Sequence, residues 1–313
     1  MALTYTQVTA ITHDLIKDKL TSGVFKSNKF LARLREKQML EEGGNKILLP
    51  RMVADDTGST GAFYNRADAL SLDEYDGISA AEFAWKYIYE SVVIYKTDIA
   101  KNSGRLGVLK LIDSKVRQAE LAMGQRLIKS VLSGSDAKEM VGLDTAIASS
   151  GSYGNINTTD DASWASYVDD NSGVNRTLTQ AILDKGYDQA VEEGIGGPSV
   201  AIMDKSVFTK FKGILVSQQR VTREDTVSGQ GHKGQVIVYN GIDHMIENNM
   251  PANTMFFVDE EHTKLHVHQD HNMRRQSIQD LETADALLER IFLYGALCSQ
   301  ERKFNSRIND ITV

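Results

Sequence analysis

The steepest hydrophobic periodicity in the chain runs from Arg105 to Ser133. Leu109, Ile112, Val116, Ala119, Met123, Leu127 and Val131 recur at steps of three or four, which lines them along one face of a helix. Lys110, Lys115, Arg117, Glu120 and Lys129 fill the other faces. At 1.5 Å per residue this helix would be roughly 40 Å long, a spine rather than a surface element. Gly134 stands where a left-handed cap would end it. Upstream, KILLPRMV and FAWKYIYESVVIY carry strand-type patterning. In the second run Phe83, Trp85, Tyr87 and Tyr89 alternate with smaller or polar residues. Between the runs lies a polar stretch of about 25 residues. Two strands joined by so long a tip predict an extended hairpin, and connections of that length tend to be functional.

Downstream the pattern shortens. MVGLDTAIASSGSYGNINTTDDASWAS is rich in Gly, Ser, Asn and Asp and reads as loop or short turns anchored by Trp164. Residues 175–193 read as a helix through Leu178, Ile182 and Ala190, closed near Gly194. A strand SVAIMD follows, then a helix around Val207, Phe208, Phe211 and Leu215. Next come strands VIVY and MFFVD, separated by NGIDHMIENNMPAN. This alternation predicts an α/β module over about 141–255. The remainder, with KLHVH and ALLERIFLYGALC, returns to β-rich sequence.

Charge changes the picture at two places. The first forty residues hold seven Lys or Arg (Lys17, Lys19, Lys26, Lys29, Arg33, Arg35, Lys37) against Asp14, Asp18 and Glu36. With Val24, Phe25, Phe30, Leu31 and Leu34 giving only weak helical periodicity, this segment reads as an arm that docks on something else. Residues 55–82 reverse the sign: Asp55, Asp56, Asp68, Asp73, Glu74, Asp76 and Glu82 stand against Arg66 alone. The opposed charges suggest mutual attraction between the arm of one copy and the loop of another. A net charge of −7 and a pI near 5.6 argue against a protein that wraps nucleic acid. The lone Cys298, in an apolar run, is expected as a buried inert thiol of a reducing compartment. MALTYTQVTAITHDLIKDKL lacks the apolar core of a signal peptide, and no run suffices to cross a bilayer, so the expected setting is cytoplasmic and soluble.

The candidate chemistry is concentrated in HVHQDH. His266 and His268 would point the same way on a strand, and His271 could return from a turn, which provides part of a zinc site. The run matches the His-x-His-x-Asp-His signature of the metallo-β-lactamase superfamily over six residues. A catalytic zinc needs further ligands, and no histidine follows His271, while Asp280, Glu282, Asp285 and Glu289 fall in no matching pattern. GQGHKG (Gly229–Gly234) lacks the ending of a phosphate loop, no Gly-x-Ser-x-Gly elbow is present, and EEGIGGPS precedes a strand instead of following one. Asp55–Asp56 and Asp160–Asp161 read as solvated turn residues, and Arg220 and Arg223 as partners of carboxylates. The expectation is therefore no catalytic residue, no cofactor and no metal. A remaining possibility is that His262, His266, His268 and His271 lie near a subunit boundary and make assembly sensitive to mildly acidic pH.

The order of these parts resembles the major capsid proteins of tailed bacteriophages, whose fold is shared with encapsulin shells. The residues that carry the resemblance are Gly142, Leu143 and Ile147, then Tyr153, Gly154, Ile156 and Trp164, with LYGALCSQERKFNSRI similar to the family's closing strand and tail. The resemblance implies an α+β phage major capsid fold. Its parts would be an N-terminal arm (1–42), an extended β-hairpin loop (43–97), the long spine helix of a peripheral domain (98–140), an axial α/β domain (141–255) and a C-terminal β-rich part of the peripheral domain (256–313). It implies self-assembly as pentamers and hexamers into an icosahedral shell that encloses the DNA genome, in the virion, assembled in the host cytoplasm. A portal protein at one vertex and a separate scaffolding protein are the implied partners, without sequence-specific nucleic-acid binding and without a membrane. Lys46, Lys86 and Asn305 offer the residue types of inter-subunit crosslinks, but none is predicted. The alternatives are an encapsulin-like compartment shell protein and a zinc-dependent hydrolase using HVHQDH. Removal of residues 1–35 is expected to leave the core folded and to impair assembly.

Overall fold

A computed structural model describes residues 28–52, 63–66, 68, 78–101, 105–135, 138–192, 195–216, 236–276, 279–281 and 284–312. In chain order its elements begin with α1 (Lys29–Glu36), β1 (Met39–Glu41), β2 (Lys46–Met52), β3 (Ile78–Ala84), β4 (Lys86–Tyr95), α2 (Lys96–Lys101) and α3 (Arg105–Ser133). They continue with α4 (Leu143–Ala146), β5 (Ser152–Tyr153), β6 (Ile156–Asn157), β7 (Tyr167–Asp169), α5 (Gln180–Asp188), β8 (Val200–Met203) and α6 (Lys205–Val216). The last part contains β9 (Val236–Tyr239), β10 (Ile242–Ile246), β11 (Met255–Val258), β12 (Thr263–His268), β13 (Arg274–Arg275), β14 (Gln279–Asp280), β15 (Ala286–Ser299) and β16 (Ser306–Ile308).

Two six-stranded sheets organise the molecule. In the first, the fourteen-residue β15 pairs along one side with β12, β13 and β14, and β1 adds to β12. Its other side pairs with β4 over ten positions, from Ala286↔Tyr95 to Gly295↔Lys86. The second sheet has the order β7-β16-β11-β8-β10-β9 and mixes parallel and antiparallel pairs. It draws β16 from the C-terminal segment and the other five strands from residues 167–258. Central strands β8 and β11 are buried on both faces, as their unbroken apolar runs require. Val200, Ile202, Phe256 and Val258 face a core shared with α3 and the first sheet. Ala201, Met203, Met255 and Phe257 face a second core built with α5 and α6.

The spine helix occupies the predicted residues, and Val116, Ala119, Met123, Leu127 and Val131 are buried. Its end differs from expectation. Gly134 is not left-handed: a Cβ there would lie 1.9 Å from the Met140 carbonyl oxygen, so glycine is needed for close backbone approach. FAWKYIYESVVIY does not form one strand. It breaks at Trp85, where the hairpin strand β3 ends and β4 enters the large sheet. The expected helix over 175–193 shortens to α5, capped by Thr179 Oγ1, and Gly194 lies outside the described residues. NGIDHMIENNMPAN is not only a connection, because it contains β10.

The first helix gives the largest correction. The segment read as an arm docks, from residue 28 onward, on its own chain. Phe30, Leu31 and Leu34 are fully buried in the main core, while residues 1–27 lie outside the described residues. Asn28 Oδ1 caps α1 by accepting from the Phe30 and Leu31 amides, and its Nδ2 donates to Glu247 Oε1 at 2.7 Å. Removal of residues 1–35 would therefore open the core rather than spare it.

Candidate assembly surfaces

The hairpin of β2 and β3 pairs only with itself, from Lys46↔Ala84 to Met52↔Ile78. Strand alternation divides its faces. Ile47, Ala81 and Phe83 turn inward, whereas Leu48 and Ile78 are 58% and 67% exposed. The acidic tip expected between the strands falls almost wholly outside the described residues.

The inward face sits on a small core made by the residues that carried the family resemblance. Tyr153 and Trp164 pack with Ile47, Ala81, Phe83, Ala296 and Cys298. Phe83 meets Tyr153 edge-on at 5.0 Å. Trp164 Nε1 donates to the Tyr153 carbonyl at 3.0 Å. Gly154, at φ +59, brings its backbone so close that a Cβ would stand 2.9 Å from the Phe83 ring, and its carbonyl accepts from the Glu82 amide at 2.9 Å. Cys298 is buried, and burial pushes its thiol well up, as expected of an inert residue.

Two buried arginines finish this seat. Arg51, on β2, donates from Nε to both Glu301 carboxylate oxygens at 3.0 and 3.1 Å and pairs with Asp161 through Nη1. Its guanidinium lies 4.9 Å from the Trp164 ring centre. Arg302 donates to the Ala146 and Ala148 carbonyls at 2.6 and 3.0 Å and lies 5.8 Å from the same ring. With no carboxylate bonded to it, burial lowers the Arg302 pKa to about 10. Gln300 Nε2 completes the tie by donating to the Pro50 carbonyl at 2.7 Å. The hairpin is thus fixed at its root and exposed along its outer face. Arg51 and Arg302 were not singled out from the sequence. Their only sequence signal was proximity to a tryptophan-bearing loop.

The charges of the arm are partly spent within the chain. Arg33 grips Glu260 with Nε and Nη2, each at 2.7 Å, and pairs with Asp243 through Nη1. Lys37 Nζ adds a 3.2 Å contact to Glu260. Burial opposes charge on Glu260, but the bonds and charge of Arg33 hold its carboxyl below the usual range. On the loop side, Glu82 is engaged by Lys46 at 2.5 Å and by Asn155 at 3.0 Å. The arm-to-loop attraction expected between copies therefore cannot count Arg33, Lys37 or Glu82 as free charges.

The histidines of HVHQDH do lie on one face of β12, but they take separate partners. His266 is buried and its Nδ1 stands 2.8 Å from Glu41 Oε1, which ties β1 to the sheet. His268 Nδ1 accepts from the Asp270 amide, and His271 stacks on Tyr294 at 4.2 Å. His262 bonds Asp259 at 2.5 Å. Among the described residues no group of three metal-ligating side chains converges. No described helix is long and apolar enough to cross a membrane.

The sequence model of the SU10 major capsid protein family matches residues 110–310. No curated protein matches the chain in sequence. Among solved structures it is similar to the capsid asymmetric unit of cyanophage A-1(L), with TM-score 0.68 and 18% identity over 91% of this chain and 93% of that one. The capsid of the native GTA particle gives TM-score 0.63 at 10% identity, covering 90% of each chain. The SrpI encapsulin of Synechococcus elongatus gives 0.59 at 10%, over 88% of this chain and 84% of that one. These structures share the phage capsid fold, and the family is structural rather than enzymatic. With a fold of two sheets around a spine helix and a family match over most of its length, the chain belongs to the SU10 major capsid protein family, as a bacteriophage capsid protein of the virion shell.

Proposed function

We propose that this chain closes as pentamers and hexamers into an icosahedral shell around the phage DNA, and that it does so without catalysis. The observation that carries the reading is the hairpin: it is rooted by Arg51 and Gln300 but bare along Leu48 and Ile78, a shape suited to lie over a neighbouring subunit. Residues 43–97 would serve as this strap and residues 1–27 as a second one. Residues 98–140 and 256–313 would form the peripheral domain, and 141–255, joined by β16, the axial domain nearest the capsomer axis.

A separate scaffolding protein and a portal protein are the partners proposed for assembly. The encapsulin-like alternative is weaker, since it rests on fold similarity while the sequence match is to capsid proteins. Sedimentation and negative-stain electron microscopy of the full chain, alone and with its scaffolding protein, test the reading. Closed particles built from five- and six-fold capsomers are expected. A chain that stays a small monomer under all conditions would refute it.

A further inference from the structure

β4 is the outermost strand of the first sheet and pairs only with β15. In an antiparallel ladder alternate residues direct their backbone groups to the two sides. The Lys96 amide donates to Asp285 and the Tyr89 carbonyl accepts from Arg126 at 3.3 Å. This assigns even-numbered residues to β15 and leaves Tyr87, Tyr89, Ser91, Val93 and Tyr95 facing outward. Among the described residues, none of these five makes a backbone hydrogen bond on that side. Beside this edge runs a groove of about 220 Å³ between β4 and α3, lined by Ser91, Val92, Val93, Gln118, Ala119 and Ala122. A long bare edge with a helix wall beside it is a template for strand addition.

We infer that the free edge of β4 receives residues 3–12 of a second copy as an added strand. The segment LTYTQVTAIT is ten residues long and uncharged, and six of its residues are β-branched. It therefore matches the ten-residue β4 in length and in strand-forming character. Its small and β-branched side chains suit the alanines and valines of the groove. The source is a second copy because of where the chain departs. Asn28 is bonded to Glu247 in the second sheet, and β1, just after α1, occupies the edge of the first sheet opposite β4. A contact from one edge of a copy to the opposite edge of the next is heterologous and closes into rings. The inference rests on the shell reading and adds to it the surface that one strap occupies.

The test is cysteine crosslinking in assembled particles of the full chain. Cys298 is buried and gives no background. Each of residues 4–11 is replaced in turn by Cys and paired with Val93→Cys. At least one register is expected to give a ladder of covalent multimers on oxidation. Ser91→Pro removes only an outward N–H, so it is expected to abolish that ladder without changing the circular dichroism or the urea midpoint of the unassembled chain. Particles that give no crosslink at any position, or only an intrachain one, would overturn the inference. So would a ladder that survives Ser91→Pro. Absence of particles from the unmodified chain would instead overturn the shell reading beneath it.

Discussion

Trp164 lies between two buried guanidinium groups, and only one of them is neutralised. Arg51→Met would leave Asp161 and Glu301 facing an apolar side chain. Loss of one partner from a buried pair costs about 3 kcal/mol or more, so the urea midpoint should fall clearly. An unchanged midpoint would mean that the seat does not hold the hairpin. His244 gives a second prediction at this scale. It is buried, stacked on Phe211 at 4.6 Å and ringed by Tyr239 and Phe257, with Asp243 the nearest charge. Burial lowers its pKa from 6.5 to about 4. Below pH 6.5 the unfolded chain therefore takes up a proton that the folded one refuses. Stability from this residue is full above pH 6.5 and is lost as pH falls towards 4, by about 3 kcal/mol in all. Unfolding measured across that window should show the loss, and His244→Phe should flatten it. His262 runs the other way: its bond to Asp259 raises its pKa, so its contribution is present below 6.5 and fades as pH rises. Any pH effect on assembly must separate these opposite slopes, which the clustering of histidines in the sequence did not disclose.

Among the elements, α3 was the most legible, because a seven-fold repeat of apolar residues at helical spacing has one solution. Its terminus was not, because Gly134 is set by the Met140 backbone, a partner no local pattern reports. Gly134→Ala should cost more than about 2 kcal/mol by overpacking against backbone. Gly213, in α6, offers the contrast: a Cβ there meets nothing within 4 Å, so Gly213→Ala should stabilise by about 1 kcal/mol. Thermal unfolding of the pair checks both signs. β10 was missed because Asn240, Gly241 and Asn248 make its surroundings read as turn, although Ile242, His244 and Met245 are buried. The break at Trp85 was missed because alternation continues across it. Only the pairing partners change, and those are far away in sequence.

For the whole molecule, the order of parts carried the family, while the docking of α1 on its own chain was hidden by the basic charge around it. Phe30, Leu31 and Leu34 mark a buried face, and Arg33 finds its partners more than 200 residues away. The truncation boundary moves accordingly. Removal of residues 1–27 should leave a folded chain that assembles poorly. Removal of 1–35 should fail to fold, since loss of Phe30 alone costs about 3–5 kcal/mol. Circular dichroism and sedimentation of the two truncations distinguish these outcomes. The central claim, a shell held by straps that cross between copies, is tested most directly by a cryo-electron microscopy reconstruction of particles formed by the full chain. The account predicts each β2–β3 hairpin lying across a neighbouring subunit, with Leu48 and Ile78 buried there. A closed particle whose hairpins rest only on their own subunits would contradict it.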